Sequence, residues 1–512
     1  MHPRLHADST PEATALIMSA SDACLTYRAL EGRTNRAAHT LRALGLIRGD
    51  TVALACENRA EFLDIYWATQ RSGLTLVPLS TRLKTSEVAY IITDSGAKLL
   101  LISAGMIETA RELAAMQGDI TGLEQIVAID PIDDLPEWTA LCAAQPDSPI
   151  ADESIGGRMV YSSGTTGQPK GIRFPLATGT PVQPNPAAQL FGGLYKLGAD
   201  TVYLSPAPLY HSAPMGFTTS VQSLGGTVVL MPKFEPELFL KAVEQWRVTA
   251  VMMVPTMFIR LLKLPPHVRA RYDHSSLKTV VHAAAPCPVP VKRAMIDWLG
   301  PIIEEFYAGS EGNGHVVISS AEWLRKPGSV GRAIVGTIHI CADDGNEVSV
   351  GEIGTIYFSG GKSFSYHNAP DKTAASHNPC HPEWSTMGDV GHIDDEGYLF
   401  LSDRKDFMII SGGVNIYPQE VENLLIGHPG VADVAVFGVP HPDFGEEVKA
   451  VVQPADWSQA GAAFATELMV WTRAQLADVK CPRSIDFLPA LPRAETGKLY
   501  KKELKARYWP QD

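Results

Sequence analysis

Residues Tyr161-Ser-Ser-Gly-Thr-Thr-Gly-Gln-Pro-Lys170-Gly171 crowd hydroxyls, glycines and one lysine into a single short stretch. Gly164 and Gly167 free the backbone to curl, so that successive amides point inward. The hydroxyls of Ser162, Ser163, Thr165 and Thr166 and the Lys170 ammonium add further donors. Such a cradle suits a polyphosphate. It is not a Walker A loop, because counting from Gly164 that motif needs glycine where Pro169 stands. The flanks Arg158–Tyr161 and Ile172–Phe174 also read as strands, with no helix opening after the loop. A Gly/Thr-rich surface hairpin is the plainer alternative. His377, Cys380 and His381 lie close enough in sequence to suggest a metal. Zinc sites usually need four ligands, and no fourth is evident, so these three read as a surface loop.

The elements that must hold this loop follow from hydrophobic periodicity. Helical spacing is clear over 29–46 and 60–71. Short apolar runs alternate with those helices at Thr51–Ala55, Thr75–Pro78, Lys98–Ile102 and Gln125–Ala128. The pattern continues through Thr201–Ser205, Thr227–Met231, Ala250–Val254, Thr279–Ala283 and Ile302–Phe306, and predicts parallel α/β units. From about residue 330 the texture becomes β-rich, with Gly336–Cys341 and Gly354–Ser359 joined by Gly/Asp turns as in a small barrel or meander. After Asp403 a compact α+β pattern restarts: helix over Pro418–Gly427, strands over Val431–Val439 and Glu447–Gln453, helix over Phe464–Ala477. The expectation is an α/β fold with a large N-terminal part (1–403), including a small β-rich subdomain, and a small mobile α+β C-terminal domain (404–512).

Composition limits the function. The 512 residues carry 43 Lys+Arg against 56 Asp+Glu, a net charge of −13, with 45% hydrophobic residues. That excludes a wholly disordered chain and argues against a nucleic-acid partner. A local pocket can still oppose the global charge and hold an anion. No run is long and apolar enough for a membrane span. The seven cysteines are scattered without a CxxC pair, and the acidic N-terminus does not read as a signal peptide, so a reduced, cytoplasmic setting is expected.

The loop at Tyr161–Gly171 resembles the phosphate loop of the adenylate-forming superfamily of acyl-CoA synthetases, non-ribosomal adenylation domains and firefly-type luciferases. Four further segments follow in family order. Tyr307-Ala-Gly-Ser-Glu311 resembles the aromatic–Gly–Thr/Ser–Glu segment, and Gly388-Asp389 the Thr-Gly-Asp. Asp403-Arg404-Lys-Asp406 with Ile410-Ser-Gly-Gly413 and Pro418-Gln-Glu-Val-Glu422 resembles the hinge region. Pro492-Arg-Ala-Glu-Thr-Gly-Lys498 resembles the C-terminal Pro-Arg-x-x-x-Gly-Lys.

The resemblance implies activation of a carboxylate by ATP to an acyl-adenylate and pyrophosphate, then transfer to coenzyme A. The nucleophile is already an anion, so the work is positioning and charge neutralisation. By resemblance Glu311 binds magnesium, Tyr307 stacks on adenine, Ser310 donates to phosphate, and Asp389 accepts from the ribose hydroxyls. Arg404 contacts the nucleotide, Asp406 is the hinge, and Lys498 reaches the pyrophosphate and the carboxylate. Gly412 and Gly413 line the tunnel of the CoA thiol arm. Taken alone, Glu311 and Asp406 are also ordinary loop acids, Asp389 a turn acid, Tyr307 a core aromatic and Lys498 part of a solvated lysine run. Gly412-Gly413 reads equally as a tight turn. His211, in Pro208-Leu-Tyr-His211, resembles the residue that closes the carboxylate site. Ala283, Ala284 and Gly309 suggest room for a bulky acyl chain, and close packing explains them equally well.

The leading expectation is an AMP-forming acid:CoA ligase for a hydrophobic monocarboxylate: fatty, steroid-side-chain or aryl-alkanoic. The alternative is a stand-alone adenylating enzyme that loads a carrier protein. Ser212 stands where α-amino-acid enzymes usually hold an acid. A homodimer stays open.

Overall fold

The computed structural model describes residues 2–162, 169–404, 407–493 and 499–509, with Ser162 described in its backbone only. The chain divides into two compact units: Met1–Met253 with Leu264–Val281 and Phe364–Thr373, and Val254–Lys263 with His282–Ser363 and Ala374–Asp512.

The first unit is built on parallel strands. Thr51–Ala55 pairs in parallel with Thr75–Leu79 on one side and Ala97–Ile102 on the other, and Gln125–Ala128 extends the same sheet. Thr51–Ala55 and Thr75–Leu79 are buried at every position, which is why they read as unbroken apolar runs rather than alternating ones. Helices Tyr27–Ala43, Ala60–Arg71 and Thr85–Ser95 connect and cover these strands. Thr26 caps the first of them by accepting from the Ala29 amide. The hairpin Gly157–Ser162 and Lys170–Arg173 joins the same sheet through Thr75–Leu79. A second parallel run in this unit comprises Ala250–Met253, Val202–Ser205, Thr227–Leu230 and Thr14–Met18.

The second unit opens with an antiparallel meander. Thr337–Cys341, Gly354–Ser359, Ser385–Ile393 and Leu399–Arg404 pair in sequence. Ser329–Val335, His315–Ile318 and Ile303–Ala308 complete the run. Its core is Val316, Val330, Ile340, Ile356, Phe358 and Leu399. A further sheet holds Val414–Ile416, Ile409–Ser411, Gly445–Pro454 and Val431–His441, with Ser484–Phe487 added in parallel. Helices Pro418–Leu425 and Ala462–Arg473 pack on it through Val421, Leu425, Phe464 and Leu468. The α/β-then-β-rich-then-α+β order expected from sequence is the order observed. Several boundaries differ by a few residues: the first long helix spans Tyr27–Ala43, the helix at Pro418 ends at Leu425, the strands of the last sheet run Val431–His441 and Gly445–Pro454, and the last long helix ends at Arg473 rather than Ala477, before a short 3-10 segment at Asp478–Lys480.

Candidate active site

Asp389 is the centre of the best-defined polar cluster. Register places it opposite Arg404 on neighbouring antiparallel strands. The Arg404 Nε lies 3.2 Å from Asp389 Oδ1. The Tyr307 hydroxyl, from the strand Ile303–Ala308, donates to Asp389 Oδ2 at 2.7 Å. Both carboxylate oxygens are therefore fixed, and each retains acceptor capacity. Burial and the neighbouring Asp389 charge push the Tyr307 hydroxyl well above its ordinary pKa, so it remains a donor. The Tyr307 ring is only partly covered; Phe358 sits 6.2 Å away at a tilt of 36°.

Glu311 follows the same strand and is 9% exposed. Gly309 between them is a close approach rather than free space. A Cβ there would fall 2.1 Å from Met387 Sδ and 2.6 Å from Glu311 Oε2. This crowding by the Met387 and Glu311 side chains fits the close-packing alternative for Gly309. Ala283 is buried, whereas Ala284 is exposed and adopts φ +75, a region L-residues enter at a cost of about 1 kcal/mol or more.

In the first unit, Lys170 begins the strand Lys170–Arg173 and pairs with Ser162. Its ammonium lies over the Tyr366 ring at 4.9 Å. Strands Gly157–Ser162 and Lys170–Arg173 flank the Gly/Thr-rich stretch as expected, and Tyr161 is anchored by a 2.6 Å hydrogen bond to Asp94 Oδ2. His211 occupies the cap position before helix Ser212–Ser223, its ring 4.6 Å from Tyr210. Ser163, Gly164, Thr165, Thr166, Gly167, Asp406 and Lys498 lie outside the described residues, as does the Ser162 side chain.

Gly412 and Gly413 form the two-residue turn of a hairpin in which Ser411 pairs with Val414. Both have positive φ, 56° and 81°, as the turn matching the strand twist requires. Asp403 also has a structural task. Its carboxylate accepts from the Arg404 and Gln419 amides, the latter at the start of helix Pro418–Leu425. The neighbourhood of His377, Cys380 and His381 is organised by Trp384, whose ring is stacked between His339 and His381 at 3.7 and 3.8 Å.

Sequence reasoning missed the base of the C-terminal Pro-Arg-x-x-x-Gly-Lys segment. Arg493 makes a two-pronged pair with Asp433 at 2.5 and 2.7 Å, and bridges in the backbone to Leu499. Asp433 lies 60 residues away in sequence, and nothing local marks it.

The comparisons decide the family. Residues 4–365 match the AMP-binding enzyme family, and residues 420–498 match the AMP-binding enzyme C-terminal domain. The chain belongs to the AMP-binding enzyme family. It is 36% identical over 511 residues to a feruloyl-CoA synthase from an Amycolatopsis species, covering 99% of this chain and 98% of the relative. It is 31% identical over 513 residues to a long-chain-fatty-acid–CoA ligase of Mycobacterium tuberculosis, covering 99% and 97%. Its structure matches the ATP-bound crystal structure of MatB from Rhodopseudomonas palustris with a TM-score of 0.82 at 28% identity, over 99% of both chains. This AMP-binding enzyme is an AMP-forming acid–CoA ligase, with ATP and a carboxylic acid as substrates. Among the described residues, no helix is long and apolar enough to cross a membrane.

Proposed function

We propose that this ligase activates a hydrophobic carboxylic acid of the fatty, steroid-side-chain or aryl-alkanoic class with magnesium-ATP, and passes the acyl group to coenzyme A. The observation that carries the nucleotide half is the Tyr307–Asp389–Arg404 cluster. It is a carboxylate with both oxygens pre-positioned, suited to accepting two vicinal hydroxyls, beside a cation suited to phosphate.

In the first half-reaction a carboxylate oxygen of the acid bonds to the α-phosphorus, and the bond from that phosphorus to the bridging oxygen breaks. Pyrophosphate leaves. Asp389 holds the ribose, Ser310 and the hydroxyls of residues 162–166 hold phosphate oxygens, and Lys170 and Lys498 neutralise their charge. His211 closes the carboxylate end. Glu311, a hard oxygen donor, would hold magnesium together with the substrate phosphates; among the described residues no cluster of three or more His, Cys, Asp or Glu would hold it alone. The ion supplies further charge neutralisation on the phosphates. In the second half-reaction the CoA thiolate attacks the acyl carbonyl carbon and AMP leaves. In this reading residues 404–512 form the domain that rotates about Asp406 between the two steps, and Gly412-Gly413 admits the thiol arm.

The substrate class rests on relatives whose names span an aryl-propenoic and a long-chain fatty acid, and on the exposed small side chain of Ala284. The test is AMP and pyrophosphate release from ATP over a panel of such acids, with and without CoA. CoA-dependent turnover of at least one supports the reading. ATP–pyrophosphate exchange that CoA does not convert to turnover would move the acceptor to a carrier protein. No exchange with any hydrophobic acid would overturn the substrate class.

A further inference from the structure

Three ionisable side chains are buried together at the root of the Ala283–Pro286 turn, outside all the motifs above. Lys292 and His282 are 0% exposed and Glu305 is 5% exposed. The Lys292 ammonium donates to Glu305 Oε2 at 2.5 Å. His282 Nε2 lies 3.4 Å from the same oxygen, and among the described residues neither ring nitrogen has a hydrogen-bond partner. Lys292 also lies over the Trp323 ring at 5.1 Å, and Phe258 meets His282 edge-on at 5.3 Å. Lys292 sits on the buried face of helix Val289–Leu299 with Met295 and Ile296, where an apolar residue would be ordinary.

Taking such a pair out of water costs about as much as its attraction returns, so stability alone does not explain it. Its location does. Glu305 precedes Tyr307 by two residues on one strand, so the two side chains leave the same face. His282 ends the strand Thr279–His282 immediately before Ala283 and the strained Ala284. Strained backbone persists where its surroundings hold it.

We propose that Lys292, Glu305 and His282 are positioning residues, a buried cluster that ties the Tyr307 strand, the Ala283–Pro286 turn and helix Val289–Leu299 into one fixed support for nucleotide and acyl groups. The proposal rests on the reading of Tyr307 and Ala283–Ala284 given above. Among the described residues, the charged and titratable groups facing Glu305 are Lys292, His282 and the Cys287 thiol. Burial pushes Glu305 up against the pull of Lys292, and burial together with Lys292 keeps His282 neutral.

The experiment measures ATP affinity by calorimetry, and KM for ATP and acid, on full-length variants. Lys292→Met strands the Glu305 carboxylate, which must take up a proton to stay buried. Its ATP affinity should weaken as pH rises from about 6 to about 9, while wild type holds steady. Lys292→Met/Glu305→Gln removes the stranded charge. It should lose that pH dependence yet keep both KM values raised about tenfold, the support being gone. Lys292→Arg should recover part of the loss. Wild-type KM values in the double variant, or a flat pH profile in a folded Lys292→Met, would overturn the proposal. If Lys292→Met does not fold, the double and Arg variants decide. If no acid is turned over at all, ATP affinity still reads the cluster, so the two failures are distinguishable.

Discussion

Asp389 does more than a turn acid would, because its two oxygens are held by residues from two other strands. Removing one of those holds isolates its contribution. Tyr307→Phe should keep the fold and the Arg404 contact, and weaken ATP binding by about 10- to 150-fold, the equivalent of one hydrogen bond to a charged group. Calorimetry checks it; unchanged affinity would mean the Tyr307 hydroxyl does not orient the ribose acceptor. Asp389, Arg404 and Glu311 stood out as candidates in sequence because each stands in a short motif, and the structure brings Asp389 and Arg404 together. Lys292, Glu305 and Asp433 did not stand out. Lys292 could have been noticed as a cation on the apolar face of a helix, but its partner depends on how strand and helix pack.

At the level of elements, apolar runs located nearly every strand of the parallel regions, because a strand buried on both faces needs no polar alternation. The Gly412-Gly413 hairpin was only half legible, since the strand pair around it is short. Ser411 and Val414 pair directly, and that pairing demands positive φ at both glycines. A Cβ at Gly413 would meet nothing within 4 Å, so its cost is backbone strain alone. Gly412→Ala/Gly413→Ala should therefore destabilise this hairpin by about 1 kcal/mol per site. Acyl transfer from supplied adenylate should slow while adenylate formation persists. Equal slowing of both half-reactions in quenched-flow assays would remove the glycines from the thiol path.

The whole molecule carries two further predictions. Lys498→Ala should nearly abolish adenylate formation but spare thioester formation from supplied acyl-adenylate; parallel loss of both would remove Lys498 from the first step. The second concerns acid. Burial lowers His2 and His282 well below the usual histidine range, and His315 to about 4. Below about pH 6.5 the unfolded chain binds protons at these sites that the folded chain refuses, so stability is lost as pH falls. Asp64, raised to about 6 by burial against Arg33, and Glu305, also raised, work in the opposite sense. The three histidines outnumber the two raised carboxylates, so the net effect of these groups is a loss of stability as pH falls below about 6.5. The thermal midpoint should fall with it, and His2→Gln should flatten the fall. A midpoint that rises on acidification would contradict the assignment.

The sequence by itself determined the family, the chemistry and the order of elements, because phosphate handling requires particular residue types at fixed local spacing and buried strands require unbroken apolar runs. Tertiary structure decided which of those residues touch. The Tyr307–Asp389 bond spans 82 residues and the Arg493–Asp433 pair spans 60. It also crowded Gly309 with the Met387 and Glu311 side chains and put a lysine and a glutamate together in the interior. Such contacts are fixed by strand register and helix packing, which bring together side chains that no short stretch of sequence relates.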